Sequence, residues 1–558
     1  MQTDIEIAEA YQAKRITDIA AGLGLGPDDI EQYGKYIAKV PLDVLARFDK
    51  NPNGKLVVVT AVTPTPAGEG KTVTTIGLIE GLAKIGKKVV GALREPSMGP
   101  TFGMKGGATG GGQAQVYPMW SIDLQFTGDI EAVTAAHNLL SAVLENNLVR
   151  DNPLHIDPSK IVLGKTLDMN CRELRHIVVG LGETRLSGGV THESGFLITS
   201  ASEISAILAL ATGYADLRAR LERMVVAYTY AGEPVTAGQL GCVGSMMVLL
   251  REALKPNLVQ TLEGQPVFVH GFPFANIAHG NNSVLATKYA MKLGDIAVTE
   301  AGFAADLGGE KFMDIVCRQS GIRPDCAVVV ASVRALMIHG GADLKDPASF
   351  TEAELVRGLA NLDKHIANMQ AYGVPAVVSI NHFAADDPAH LQLIRRHCQE
   401  LGVECVESDS FLYGGEGARE LATKVVEVLK STPAHYHGLY SDSLTLKEKI
   451  AAVAREIYGA DGVEYTPQAE KQLADLEKRG YGRLPVCIAK TQYSLSDKPE
   501  LKGAPKGWYL SVREVGLSAG AGFVVPICGS VMLMPGLSRE PAALRMDLLD
   551  DGRIVGLK

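Results

Sequence analysis

The chain has 558 residues, 46% of them hydrophobic, 21% charged and 6% aromatic, with a formal net charge of −9. At roughly 100–200 residues per domain this predicts about three domains of ordinary globular composition, with ample surface to bury. The 54 basic and 63 acidic side chains form no basic block, which argues against a nucleic-acid partner. No run of about 18 apolar residues occurs, so no membrane span is expected.

The opening stretch MQTDIEIAEAYQAKRITDIA mixes charges and lacks the apolar core of a signal peptide. The first strong element is KLVVVTAV, a buried strand by its β-branched density. The loop PTPAGEGKT follows, and then a helix over Thr72 to Ala83 that spaces Ile76, Ile79, Leu82 and Ala83 on one face. KKVVGAL is the next strand and ends at Arg94. A β-loop-α-β order predicts a parallel sheet with helices on its faces. The stretch 150–230 reads differently: SEISAILALATGYADLRARLERMVV is a long helical pattern packed beside the sheet. PVFVH, DIAVTEAG, DCAVVVAS, PAVVSIN and RLPVCIA are further strands, each running into a loop rich in Gly, Asn, His or charged residues. Ligands in open α/β sheets bind beyond the carboxyl ends of the strands, so these loops are the expected site walls. SLTLKEKIAAVAREIYG and AEKQLADLEKRG are exposed helical patterns, and SVREVGLSAGAGFVVPICG is strand and turn, placed to close over the site.

The fold class read from this order is α/β, a P-loop-type, doubly wound, mostly parallel sheet core with additional smaller α/β domains. The expected division is 1–150 and 266–365 for the two parts of the nucleotide-binding core, and 151–265 for a mainly helical segment packed on it. An α/β domain at 366–450 and a C-terminal α/β domain at 451–558 complete the division. Eight cysteines scatter without a CxxC pair, which points to free thiols in a reducing cytoplasm and away from a zinc site.

A glycine-rich turn between a buried strand and a helix exposes backbone N–H groups to an anion, and the helix dipole favours negative charge there. Thr65, Pro66, Ala67, Gly68, Glu69, Gly70, Lys71 and Thr72 occupy that turn. Lys71 supplies a full charge near terminal phosphates, and Thr72 a hydroxyl that can face Mg²⁺. Against the spacing GxxxxGK[ST], Thr65 replaces the first glycine. Arg94 ends the next strand, beside the first loop in a doubly wound sheet, so Lys71 and Arg94 are expected to converge on one phosphoryl group. Its planar fork suits phosphate or carboxylate oxygens. Glu95 and Asp129 are carboxylates near the same place, suited to orienting a phosphate or a metal. His270 and His279 flank GFPFANIA at no common metal-ligand spacing, and no metal ligand is assigned. Asp306 and Glu310 either face the phosphate loop, bind a cation or serve as polar caps.

TPTPAGEGKT, LREPSMGPTFGMKGGATGGG and FTGDIEAVTAAHNLL, with FPFANIAHGNNS, VTEAGFAADLGGEKFMDI, NHFAAD, GGEGA, AKTQYSLSDKP and VREVGLSAGAGFVVPICG, together resemble the formate–tetrahydrofolate ligase family, in order from about residue 5 to 558. The resemblance implies that formate, ATP and tetrahydrofolate give 10-formyltetrahydrofolate, ADP and phosphate through formyl phosphate. It implies ATP with Mg²⁺, tetrahydrofolate as substrate, activation by a monovalent cation (K⁺ or NH₄⁺), and a homotetramer acting on small molecules. It also promotes Phe383 and Phe411 to the two faces of a pterin clamp. A pterin ring has two π faces, and aromatic side chains are its natural partners. Spacing alone makes both residues plain core.

Several positions depart from the family pattern. Phe411 stands where the family has tryptophan, Phe272 and Ala304 where it has glycine, and Gln125 where it has histidine. Lys165 is what remains of a Trp-Arg-Arg segment, His192 replaces an arginine and Leu197 an aspartate. These loop changes leave two alternatives beside the ligase: the same scaffold with altered acid or pterin specificity, or a nucleotide-binding regulatory protein that has lost turnover.

Overall fold

The structure is a computed structural model that describes residues 2–66, 68–103, 109–182 and 188–557. Its centre is a sheet of twelve described strands. The strands that matter here are β1 (Lys55–Ala61), β2 (Val89–Leu93), β3 (Asn257–Thr261), β4 (Pro266–Val269), β5 (Ile296–Glu300), β6 (Cys326–Ala331), β7 (Ala376–Asn381) and β8 (Glu404–Ser408). They lie side by side in the order β3-β4-β2-β5-β1-β6-β7-β8. From β4 to β8 every pairing is parallel, while β3 runs antiparallel to β4.

Period-two alternation sends neighbouring side chains of each strand to opposite faces. Leu56 and Val58 of β1, Val329 of β6 and Val378 of β7 enter one core. Val57, Val59, Val328, Val330 and Val377 enter the other. Helices cover both faces. On the first lie α2 (Asp129–Val149), α3 (Val284–Leu293) and α4 (Glu352–Gln370), each contributing its apolar stripe. On the second, α1 (Lys71–Lys84) buries Ile76, Leu78, Ile79 and Leu82. It packs there with a helix over Arg419–Ser431. Such fully buried aliphatic side chains are each worth about 1.5–3 kcal/mol relative to exposure. Burial on both sides explains why these strands read as continuous apolar runs.

Two sequence expectations give way here. The helical pattern over 202–226 is two helices, Glu203–Leu210 and Tyr214–Glu222, followed by a strand, Val225–Thr229. The break falls at Thr212-Gly213, both weak helix formers, and Asp216, in the first turn of the second helix, accepts from the Thr212 N–H and hydroxyl. RLPVCIA is not a strand of the main sheet. Val486 and Ala489 form only isolated bridges with Val524 and Ile527, beside a hairpin of Tyr509–Ser518 and Phe523–Cys528, and Pro485 brings no N–H to a ladder. All eight cysteines are free thiols. Among the described residues no helix is long and apolar enough to cross a membrane.

Candidate active site at the carboxyl edge of the sheet

The loop after β1 turns through Gly68 and Gly70, both at φ 76°, before α1 begins at Lys71. This left-handed backbone is open to glycine and strained for other residues. A second constraint acts at Gly70: a β-carbon there would lie 2.1 Å from Asn381 Nδ2, so the last residue of β7 packs directly on the turn. Glu69 folds inward, accepting from the Thr65 N–H at 2.6 Å and the Thr65 hydroxyl at 3.0 Å. Thr65 thus closes the turn from its entry side, where the consensus spacing has glycine. Pro66 is exposed, and Ala67 lies outside the described residues. The root of the loop is tied down at Thr63. Its N–H and hydroxyl bond the Asn361 amide, its hydroxyl meets His365 Nε2, and its carbonyl accepts from His339 Nε2.

Strand order changes the expected neighbourhood of Arg94. The tip of β2 is not beside that of β1, because β5 lies between them and ends at Glu300. Lys71 Nζ donates to Glu300 Oε2 at 2.8 Å, and the Thr72 hydroxyl donates to the same oxygen at 3.1 Å. Burial pushes the Glu300 carboxyl up, but Lys71, Arg94 and the two hydrogen bonds outweigh it, so its pKa lies below the usual glutamate value. Arg94 is the second cation beside this carboxylate. Burial lowers its pKa and Glu300 raises it, with burial prevailing. Its Nε is buried without a hydrogen-bond partner, and a β-carbon on Gly302 would lie 3.0 Å from its Nη1. Two cations, one of them with an orphaned donor, therefore act on Glu300 close to glycine backbone. Sequence reasoning missed this glutamate. The available signal was its place in DIAVTEAG, at a strand end like Arg94.

Asp129, at the start of α2, is engaged on both oxygens, accepting from Lys39 Nζ at 2.7 Å and Asn257 Nδ2 at 2.8 Å. Glu95 is buried close by, and burial followed by the charge of Asp129 drives its pKa well above the usual glutamate value. His270 bonds Ser283 Oγ and the Ala253 carbonyl, each at 2.7 Å, and burial lowers it to about 4. His279 is buried and lowered to about 3. Asp306 pairs with the equally buried Lys490 at 2.8 Å. Burial and the neighbouring Asp314 push Glu310 well up.

Phe383 and Phe411 leave the same edge two strands further on. Asn381 of β7 pairs in register with Ser408 of β8, so the loops carrying the two rings exit side by side. His382 and Asp409 join them, with the imidazole Nδ1 2.6 Å from Asp409 Oδ1, and the His382 N–H donates to the Ser408 carbonyl. Neither ring is core: Phe383 is 45% exposed and Phe411 36%. Phe411 lies in α5 (Ser410–Gly417), which packs on α1 so closely that β-carbons at Gly77 and Gly81 would strike Ser410 and Ala418. Helix α1 thus presents Lys71 at its first turn and carries the Phe411 helix on its flank. Gly70 and Asn381 make the second junction between the loop after β1 and the loop that follows β7.

The formate–tetrahydrofolate ligase family profile matches residues 2–558. A formate–tetrahydrofolate ligase of Symbiobacterium thermophilum is 54% identical over 558 residues, covering 100% of both chains. The chain belongs to the formate–tetrahydrofolate ligase family. Two departures from the family pattern have a local explanation. Ala304 has φ −123°, an extended backbone that does not demand glycine. Phe272 is 2% exposed and fills the larger core. Gln125 is exposed, His192 packs against Glu145, and Leu197 pairs beside Thr166. Nothing in the structure explains these last three changes.

Proposed function

We propose that this chain ligates formate to tetrahydrofolate at the expense of ATP, giving 10-formyltetrahydrofolate, ADP and phosphate. Full-length membership of the family carries the reading, and the grouping of Lys71 and Arg94 at Glu300, next to the glycine turn, supports its first half. Formate is a poor electrophile. Attack of its carboxylate oxygen on the terminal phosphorus of ATP breaks the bond to ADP and makes formyl phosphate, a mixed anhydride with a good leaving group. Such a transfer needs positioning and charge neutralisation more than covalent help. Lys71, bonded to Glu300, and Arg94, whose charge acts on the same carboxylate, would supply that charge, while the backbone of residues 65–72 and the first turn of α1 would receive the nucleotide phosphates. The sheet and this turn together form the P-loop-type core of the proposal.

In the second half an amine nitrogen of tetrahydrofolate attacks the formyl carbon and releases phosphate. Phe383 and Phe411 would take the two faces of the pterin. The Thr72 hydroxyl would be the protein group that holds Mg²⁺, which would supply charge neutralisation to the nucleotide phosphates. No group of three metal-ligating side chains exists among the described residues, so the phosphates would provide most of its ligands. Asp129 and Glu95 act behind this site as orienting carboxylates rather than as metal ligands, because Asp129 is already shared by Lys39 and Asn257. A homotetramer, activation by K⁺ or NH₄⁺ and cytoplasmic location belong to the same proposal.

The test is ADP release measured with each of the three substrates omitted in turn, and with a panel of short carboxylates and methylated pterins. The expected result is turnover only with ATP, formate and tetrahydrofolate together. ATP binding without turnover, or a faster rate with another acid, would overturn it.

A further inference from the structure

The Phe411 helix is not a regular helix. At Gly414 the backbone turns to φ 54°, ψ −132°, and the chain doubles back until the Asp409 N–H donates to the Gly417 carbonyl. The kink is held by two acidic side chains from other elements. Glu263, in the turn between β3 and β4, accepts from the Gly415 N–H at 2.9 Å. Glu80, on α1, accepts from the Glu263 N–H at 3.3 Å. Both carboxylates press on the glycines. A β-carbon at Gly414 would lie 2.8 Å from Glu263 Oε1 and 3.3 Å from Glu80 Oε2, and one at Gly415 would lie 2.7 Å from Glu80 Cβ. Glu80 Oε2 is buried with no hydrogen-bond partner. On the far side of the same turn, the Phe411 carbonyl accepts from the Gln113 N–H at 2.8 Å. The four residues from Ser410 to Tyr413 are therefore clamped at both ends.

We propose that Glu263 and Glu80 are positioning residues for the aromatic clamp: together they set the Gly414–Gly415 kink, and through it the placement of Phe411 and the affinity for the pterin substrate. The inference rests on the pterin role given to Phe411 above. It deepens that reading by naming what holds the ring in place. The two carboxylates engage the Gly415 and Glu263 N–H groups and Lys84 rather than Lys71, Arg94 or Glu300, so ATP handling is not expected to depend on them.

Two carboxylates at one kink make the device sensitive to proton concentration. Burial, then the charge of Glu263, raises Glu80 to about 8, while Thr261, the Glu263 N–H and Lys84 pull it down. Lys84 pairs with Glu263 Oε2 at 3.1 Å, and Tyr11 and Glu416 are the other ionisable groups facing this cluster. Protonated, Glu80 adds no charge to the kink; as pH rises through about 8 it ionises and is repelled by the charge of Glu263.

The test uses the full-length protein and steady-state kinetics. Glu263→Ala, acting through the Phe411 ring, is expected to raise the KM for tetrahydrofolate about 2–10-fold, the range for losing that one aromatic contact, with the KM for ATP unchanged. Glu263→Gln keeps the acceptor for Gly415 and is expected to recover most of that loss. In the unmodified protein the tetrahydrofolate KM should climb between pH 7 and 9.5, and Glu80→Gln should flatten the climb. Equal changes in both KM values, no change in either, or a climb that survives in Glu80→Gln would overturn the proposal. Should Glu263→Ala fail to fold, the pH comparison with Glu80→Gln decides alone. If the unmodified protein shows no tetrahydrofolate-dependent turnover, the ligase reading itself fails, which is a different result.

Discussion

Lys71 Nζ and Glu300 Oε2 stand 2.8 Å apart, with Arg94 as the second cation acting on the same carboxylate. Glu300 thus neutralises two cations that would otherwise repel each other at the site proposed to take phosphate. Lys71→Ala should lower kcat/KM for ATP by about 10²–10³-fold, the cost of one preorganised charge-stabilising donor. Circular dichroism should show the fold intact. Near-normal formate-dependent ADP release in that variant would remove the proposed role of Lys71.

Glu300→Gln tests the other partner. The Glu300 side chain is 1% exposed and that of Lys71 13%, so the variant leaves partly buried positive charge uncompensated. The expected loss is about 3–5 kcal/mol of stability. Inorganic phosphate should restore more of the melting temperature in the variant than in the parent, because the anion replaces the missing carboxylate. Equal stabilisation of both by phosphate, read by differential scanning fluorimetry, would speak against an anion site between Lys71 and Arg94.

Gly70→Ala combines a left-handed backbone, φ 76°, with a clash 2.1 Å from Asn381 Nδ2. The backbone term alone is about 1–2 kcal/mol. ATP affinity should fall with stability. Adding Asn381→Ala should relieve the clash and leave the backbone cost, so the double variant should recover only part of the loss. Full recovery, measured by isothermal titration with a non-hydrolysable nucleotide, would show that the conformation at residue 70 is irrelevant.

Phe411→Ala removes one face of the proposed clamp. An aromatic contact of about 0.5–1.5 kcal/mol corresponds to a rise of about 2–10-fold in the tetrahydrofolate KM, with the ATP KM unchanged. An unchanged tetrahydrofolate KM would return Phe411 to an ordinary surface position.

Acid should destabilise the fold through its buried histidines. Burial lowers His137, His270, His339 and His365 to about 4 and His279 to about 3, from 6.5. Their folded pKa values are depressed, so their contribution is complete above pH 6.5 and is lost as pH falls from there toward 4. Each can cost up to about 1.4 kcal/mol per pH unit in that window. Melting temperatures between pH 7.5 and 5 should therefore fall steeply, and His137→Gln should reduce the proton uptake on unfolding by about one. A flat profile across that range would refute the coupling.

Much of this site was legible in the residues. The β1-loop-α1 unit, the strand ending at Arg94 and the later apolar runs announced themselves through local propensity and alternation. Gly70, Lys71 and Thr72 announced the turn through spacing. Glu300 did not, since a glutamate after an apolar run reads as any strand end until its neighbours are known. The break at Thr212-Gly213 was masked by apolar residues on both sides at helical spacing. The exposure of Phe383 and Phe411 was likewise illegible, because spacing cannot tell a core aromatic from one held at the surface.

By itself, the sequence determined which segments become strands and helices, where glycine must stand, and to which family the chain belongs. These follow from interactions between near neighbours and from the order of motifs. Only the tertiary structure decided that β5 enters between β1 and β2, that Asn381 closes on Gly70, and that Glu80 and Glu263 meet at one kink. Strand order and the meeting of distant side chains come from long-range pairing and packing, for which no local pattern in the chain carries a signal.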